Sequence, residues 1–259
     1  MGAGDLGDCG LPGTEQTAAL LRGFSGTVIT VGDHVYPHGS RDDFLHCYDQ
    51  YWGFLRAQTF PAIGNHDLET EGGAPYFEYF GTNAGPPGRG FYSYMAGSWF
   101  VLSLNSELEK PGRDAQVAWV TRELASSQAE CTLAYFHRPH VSSGLYAAQR
   151  MQPLVKALYG GGVDVIVNAH EHFYERFGRQ DPEGRPDPAF GFDQFIVGTG
   201  GGRFHAAVTV VPNSEVLVQE AWGVIKFTLR PADYDWAFIQ TGGAVRDAGT
   251  RQCHGRPLL

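Results

Sequence analysis

The amino-acid sequence predicts one α/β domain, with two sheets packed face to face and helices outside. Three observations carry this. The chain has 259 residues, the size of one large domain with little room for a second. Apolar residues make up 42% and charged residues only 18%, a balance that builds a core and argues against disorder. Short β-branched apolar runs alternate with helical patterns, and the last quarter is mostly strand and turn.

In chain order, Gly4-Asp5 stands at the end of what reads as a first strand, and helical periodicity follows over 14–21. Residues 27–31 read as a buried strand, 43–55 as a helix and 59–63 as a strand. Strands over 99–104, 133–136 and 163–167 are separated by helical patterns over 116–124 and 149–159. Strands over 194–197, 208–211, 224–229 and 236–240 complete the series. Pro- and Gly-rich stretches at 81–90 and 181–192 read as surface loops, so residues 1–259 form a single domain. The chain opens so close to Asp5 that a leader and part of the first strand are expected to be missing, leaving Asp5 weakly anchored.

A formal net charge of −9 makes stable partnership with nucleic acid or an anionic membrane a poor expectation. No apolar run is long enough to span a bilayer. The cysteines, Cys9, Cys47, Cys131 and Cys253, lack CxxC spacing, which speaks against a thiolate zinc site. Their even number allows two disulfides or four free thiols.

Five clusters follow predicted strands: Gly4-Asp5-Leu6-Gly7, Gly32-Asp33-His34-Val35-Tyr36, Gly64-Asn65-His66-Asp67, His137, and His170-Glu171-His172. Loops beyond the carboxyl ends of strands converge on one edge of an α/β sheet. Each cluster alone has an ordinary reading as a turn or a satisfied polar residue. Together they bring carboxylate, phenol, amide and imidazole to one place. Imidazole suits transition metals, and oxygen donors suit harder ions. Asp5, Asp33, Tyr36, Asn65, His137, His170 and His172 are too many for one tetrahedral ion and suit two ions sharing a carboxylate. Two such ions clamp an in-line phosphoryl displacement and make hydroxide available near neutral pH.

The order GD-x-G, GD-xx-Y, GNHD, His-Arg-Pro and H-x-H-x-Tyr174-Glu175-Arg176 resembles the purple acid phosphatase branch of the calcineurin-like metallophosphoesterases, notably its secreted bacterial type. Tyr36 is the distinctive mark of that branch. The resemblance implies a four-layer α/β/β/α sandwich of two mixed sheets flanked by helices. It implies that Asp5, Asp33, Tyr36 and His172 hold a ferric ion, while Asp33, Asn65, His137 and His170 hold a divalent iron, zinc or manganese ion. Asp33 would bridge. His66, His140 and Asn65 would contact the substrate, and His66, His140 and Asp33 would carry catalysis. Ala169 departs from the family, which has glycine there. With Asp5 and Asp33 meeting, Cys9 and Cys47 are expected to pair, and Cys131 with Cys253. The even cysteine count also suits an exported enzyme.

Other features read as structural. His34 and His38 are expected at the rim, His205 in a loop, and Arg176 beside a carboxylate. Gly198–Gly202 lacks the lysine and helix of a P-loop and reads as a turn. The expected function is hydrolysis of phosphomonoesters by metal-activated hydroxide. The same site would serve a phosphodiesterase, and a non-catalytic metal- or phosphate-binding protein is a third reading.

Overall fold

The computed structural model describes residues 1–255. Its strands in chain order are β1 (Gly2–Ala3), β2 (Val28–Val31), β3 (Thr59–Ala62), β4 (Tyr92–Ala96), β5 (Trp99–Ser103), β6 (Thr132–Tyr135) and β7 (Val165–Asn168). The rest are β8 (Tyr174–Phe177), β9 (Asp193–Val197), β10 (Ser214–Val218), β11 (Gly223–Leu229), β12 (Asp233–Gln240) and β13 (Val245–Gln252). One sheet has the order β13–β12–β11–β1–β2–β3, the other β10–β8–β9–β7–β6–β5–β4. Both are mixed, with parallel β1–β2–β3 in the first and parallel β5–β6–β7–β9 in the second. The expected two-sheet sandwich is the observed fold.

Alternation along the central strands builds the layers. Val101, Leu133, Tyr135, Val165 and Val167 join the core that the first sheet shares. Their neighbours Leu102, Ala134, Phe136 and Ile166 pack instead with Val120 and Leu124 of the helix Gly112–Ser126 and Leu154 and Leu158 of the helix Gln152–Gly160. Parallel strands buried on both faces read as continuous apolar runs, which is why the sequence exposes them.

The elements that sequence periodicity misplaces have identifiable causes. Residues 208–211 form no strand. The Val208 and Val211 backbone N–H groups bond to Ser143, and the pairing with β8 goes to β10. The pattern over 43–55 is no regular helix but a series of short turns from Arg41 to Gln58, with a wide turn at Phe44–Asp49 that turns Phe44, Cys47 and Tyr48 inward. Strand β13 is largely polar and gains its place by pairing with β12.

Strand β1 has only two residues, yet it lies between β2 and β11 and pairs with both. Asp5 after it is fully buried, and its N–H donates to the Gly32 carbonyl at 3.0 Å. The expectation of a weakly anchored Asp5 is therefore overturned: pairing on both sides substitutes for strand length.

Two disulfides, Cys9–Cys47 and Cys131–Cys253, use all four cysteines, as expected. The first ties the loop after Asp5 to the wide turn, and the second ties the start of β6 to the residue after β13. Each restricts the unfolded chain, worth about 2–4 kcal/mol. Thiol titration of denatured, unreduced protein should find no free thiol; four reactive thiols would contradict the pairing.

Candidate metal centre

The donors sit beyond the carboxyl ends of parallel strands in both sheets. Asp5 follows β1, Asp33 follows β2, and Asn65 and His66 follow β3. His137 follows β6, and His170 and His172 follow β7. The sheets meet at this edge, since His137 Nδ1 lies 2.8 Å from the Val31 carbonyl and the Gly4 N–H donates to the Val197 carbonyl at 2.9 Å.

Sharp turns aim the side chains. Asp5, Asp33 and His170 adopt positive φ of 57°, 51° and 69°. The glycines beside them leave the necessary space. A Cβ on Gly64 would lie 2.2 Å from the Asp33 amide nitrogen, and one on Gly4 would lie 2.4 Å from the Ala169 methyl. The Ala169 side chain is accommodated because position 4 has none.

Two groups of donors result. The Tyr36 hydroxyl lies 2.8 Å from Asp5 Oδ1, 3.4 Å from Asp33 Oδ2 and 3.1 Å from His172 Nε2. His137 Nε2 lies 3.2 Å from Asp33 Oδ2 and 3.1 Å from His170 Nδ1. Asp33 belongs to both groups. The outward nitrogens are set by backbone: His137 Nδ1–H donates to Val31, and His172 Nδ1–H donates to the Arg203 carbonyl. That turns each Nε2 toward the carboxylates, 3.2 Å from Asp33 Oδ2 for His137 and 3.2 Å from Asp5 Oδ1 for His172.

Burial raises the pKa of both carboxyls, yet the surrounding histidines outweigh it. Asp5 is held well below its ordinary value by His172, His137 and His170, and Asp33 is lowered mainly by His137. Burial and the same carboxylates raise Tyr36 well above 10. Burial disfavours the His137 imidazolium, but Asp33 and Asp5 push its pKa up to about 10. His170 moves the other way, to about 3, through burial and the neighbouring His137 and Arg138. The carboxylates thus favour the charged form of His137, to which they are nearest, and burial and like charge disfavour that of His170.

The structure separates the remaining candidates. His66 lies at the mouth, its ring 4.7 Å from that of Tyr36 and its N–H donating to Asp33 Oδ1 at 2.9 Å. His140 is not brought to the cluster by any hydrogen bond among the described residues; its Nδ1 faces the Ala148 carbonyl at 3.3 Å. His34 is not at the rim but fully buried. Its Nδ1 and N–H meet Asp67 at 2.9 Å each, and Asp67 also accepts from Gly64 N–H at 2.8 Å. This pair braces the Asp33 loop against the Asn65 loop. Tyr76 and Phe80 pack around His34 as core. Arg176 pairs with Asp247 at 2.7 Å, as expected. The loop 198–202 supports Asp5, with Gly202 N–H donating to the Asp5 carbonyl at 2.8 Å.

His205 is the residue that sequence reasoning misses. Its ring stacks on His172 at 3.8 Å between centroids and 7° between planes. It lies 33 residues from His172 and in no motif, so no spacing marks it.

The donor set fits metal ions. Asn65 Oδ1 is buried without a hydrogen-bond partner, a costly state that a cation relieves. Ligand atoms of Asp33, His137 and His170 lie within 4.8 Å of one another. The mix of imidazole nitrogen, carboxylate and phenol oxygen suits transition metals.

Comparison with known proteins agrees. The family model for calcineurin-like phosphoesterases matches residues 3–174, which hold every donor from Asp5 to His172. The chain belongs to that family, on its purple acid phosphatase-like branch. It is 25% identical over 250 residues to purple acid phosphatase 15 of Arabidopsis thaliana, covering 78% of this chain and 45% of that one. The chain spans less than half the length of the curated relatives it matches. Its fold resembles the purple acid phosphatase PPD1 from yellow lupin (Lupinus luteus) seeds, with a TM-score of 0.83 at 19% identity over 97% of this chain and 53% of that one. It also resembles GAP50, the anchor in the inner membrane complex of Plasmodium, with a TM-score of 0.77 at 11% identity over 98% of this chain and 88% of that one. The branch implies a dinuclear metal site.

Asp33 and Asp5 raise the His137 pKa, so a metal held by its Nε2 would displace a proton, and binding would strengthen as pH rises. Titration of metal-free protein with zinc, by calorimetry in buffers of different ionisation enthalpy, should show release of at least one proton. No release would place the metal elsewhere.

Proposed function

We propose that this chain is a dinuclear-metal-dependent phosphoric ester hydrolase acting on phosphomonoesters. The observation that supports it is the meeting of Asp5, Asp33, Tyr36 and His172 with His137 and His170 at one buried edge, beside the orphaned Asn65 oxygen. In this reading Asp5, Asp33, Tyr36 and His172 hold one ion, ferric iron. Asp33, Asn65, His137 and His170 hold the other, divalent iron, zinc or manganese. When bound, the ions supply charge neutralisation and hydroxide at moderate pH.

The chain's own residues do the rest. His66 Nδ1 lies 2.6 Å from the Pro37 carbonyl, so Nδ1–H donates there and Nε2 is free. The imidazolium form of His66 gives its Nε2 proton to the departing alcohol oxygen and is left as the neutral Nδ1–H tautomer. Glu69 Oε1, 3.1 Å from Nδ1, helps orient the ring. Asp33 orients both halves, accepting from His66 N–H and facing His137.

No helix among the described residues is long and apolar enough to cross a membrane. The two disulfides support placement in an oxidising, extracytoplasmic compartment. The partner in this reading is a small phosphate ester, with no nucleic acid. Since a comparable fold serves an anchor protein, the donors and not the fold carry the enzymatic reading.

Turnover of p-nitrophenyl phosphate against its bis-ester, with metal analysis alongside, tests the proposal. Monoester preference and two metals per chain are expected; absence of turnover in metal-replete protein defeats it. Asp33→Ala should abolish activity and metal content together. His66→Ala should keep its metals while kcat falls roughly 10²-fold, the cost of a lost proton donor. Metal loss in His66→Ala would make His66 a ligand instead.

Tyr36→Phe should bleach any visible absorption of the iron-loaded protein, because the colour would arise from phenolate bound to ferric iron. Colour that survives the change would remove Tyr36 from the ligand set.

A further inference from the structure

Beside the donor cluster lies a cavity of about 600 Å³. That volume suits a small organic group. The cavity shares Tyr36 and His172 with the cluster, so its contents lie against the centre described above. Its lining offers flat, weakly polar surfaces. The stacked rings of His172 and His205 contribute, with Tyr36, Pro37 and the Cys9–Cys47 disulfide. Ring faces and polarisable sulfur favour contact with another ring.

The charge on the lining is unequal. Asp8, Asp42 and Asp43 supply three carboxylates. Arg203 lies 3.7 Å from Asp8 and answers it. His46 turns its Nδ1 to the Asp42 backbone carbonyl at 2.8 Å, not to a carboxylate. Asp43 accepts from the Ser40 N–H at 3.0 Å and keeps its charge, so Asp42 and Asp43 set the sign, and a second negative group on a ligand meets repulsion there.

We propose that this cavity receives the organic group of the ester and selects an aromatic ring that is neutral or cationic. The assignment rests on the phosphoester reading for its role. Its ring and charge selectivity stand on the cavity alone. Aryl monoesters without a further anionic substituent are then the preferred substrates, and esters bearing a second phosphate or sulfonate are disfavoured.

Phenol, benzylamine and benzenesulfonate, titrated against metal-loaded protein and followed by saturation-transfer NMR, test this. Phenol and benzylamine should bind, and benzenesulfonate should bind roughly tenfold or more weakly, as like charge demands. Asp42→Lys, a change at an exposed position, should raise the sulfonate relative to the amine. His46→Trp should fill the cavity and suppress binding of all three rings. Equal binding of sulfonate and amine overturns the proposal, and so does ring binding that survives His46→Trp. Should His46→Trp not fold, Asp42→Lys decides by itself. Kinetics separates the two readings. Ring binding as expected with no turnover of any ester defeats the hydrolase and leaves the ring site standing. Turnover of methyl and phenyl phosphate with equal kcat/KM leaves the hydrolase and defeats the assignment of the cavity to the ester group.

Discussion

Asp5 and Asp33 are buried carboxylates that both lie within hydrogen-bond distance of the Tyr36 hydroxyl. Two negative charges so close, away from water, destabilise the fold unless positive charge lies between or beside them. The rest of the site answers this requirement. Oxygen donors come from the first sheet, through Asp5, Asp33, Tyr36 and Asn65. Nitrogen donors come from the second, through His137, His170 and His172. Neither sheet supplies both, so the centre forms only where the sandwich closes. Beside these carboxylates the His137 and Tyr36 pKa values are raised, which favours the protonated form of each. In the proposed reading, bound ions would take the place of these protons, with little change asked of the backbone.

That backbone is already committed. Three of the donors occupy left-handed conformations, each costing on the order of 1–3 kcal/mol for a residue other than glycine. The strain is sustained because each of the three is hydrogen-bonded to a neighbouring loop. His170 N–H donates to Asp5 Oδ2 at 2.7 Å, and His66 N–H donates to Asp33 Oδ1 at 2.9 Å. Leu6 N–H donates to the Asp33 carbonyl at 2.9 Å. Below them, the buried His34–Asp67 pair fastens the second and third motifs together. The final Asp of Gly64-Asn65-His66-Asp67 therefore acts through position, holding the loop that presents Asn65 and His66.

What the sequence revealed follows from which forces are local. Donors that directly follow parallel strands could be placed because the strands announce themselves as apolar runs and the loop comes next. Asp5, Asp33, Asn65, His137 and His170 all fit that description. His205 did not, since its proximity to His172 arises from loop 198–205 folding over Asp5, a contact between distant segments. His34 was misread for a related reason. Its place beside the second motif suggested the rim, whereas Asp67 and Thr30 satisfy both ring nitrogens inside an aromatic shell. Strand β8 is legible only with its partners: Glu175 and Arg176 are buried because Ser143, Ser214 and Asp247 meet them. Periodicity records which side of a strand is apolar, and it is silent about polar groups that find partners far along the chain.

The charge of the molecule acts on two scales. A net charge of −9 repels an anion at long range, but salt screens that field beyond about 10 Å. Attraction to an anion would therefore have to arise within the site, where metal held by the buried donors would reverse the local sign. The adjoining cavity keeps the acidic sign of the surface through Asp42 and Asp43. A ligand spanning both would meet positive charge at its phosphoryl end and negative charge at its organic end. This division gives orientation as well as affinity, because a reversed ligand places like charges together at both ends. The Cys9–Cys47 disulfide belongs to the same arrangement: it lines the cavity and also ties the loop after Asp5 to the turns carrying Asp42 and Asp43. The distance between the two regions of opposite sign is thereby held by a covalent link instead of by weak contacts alone.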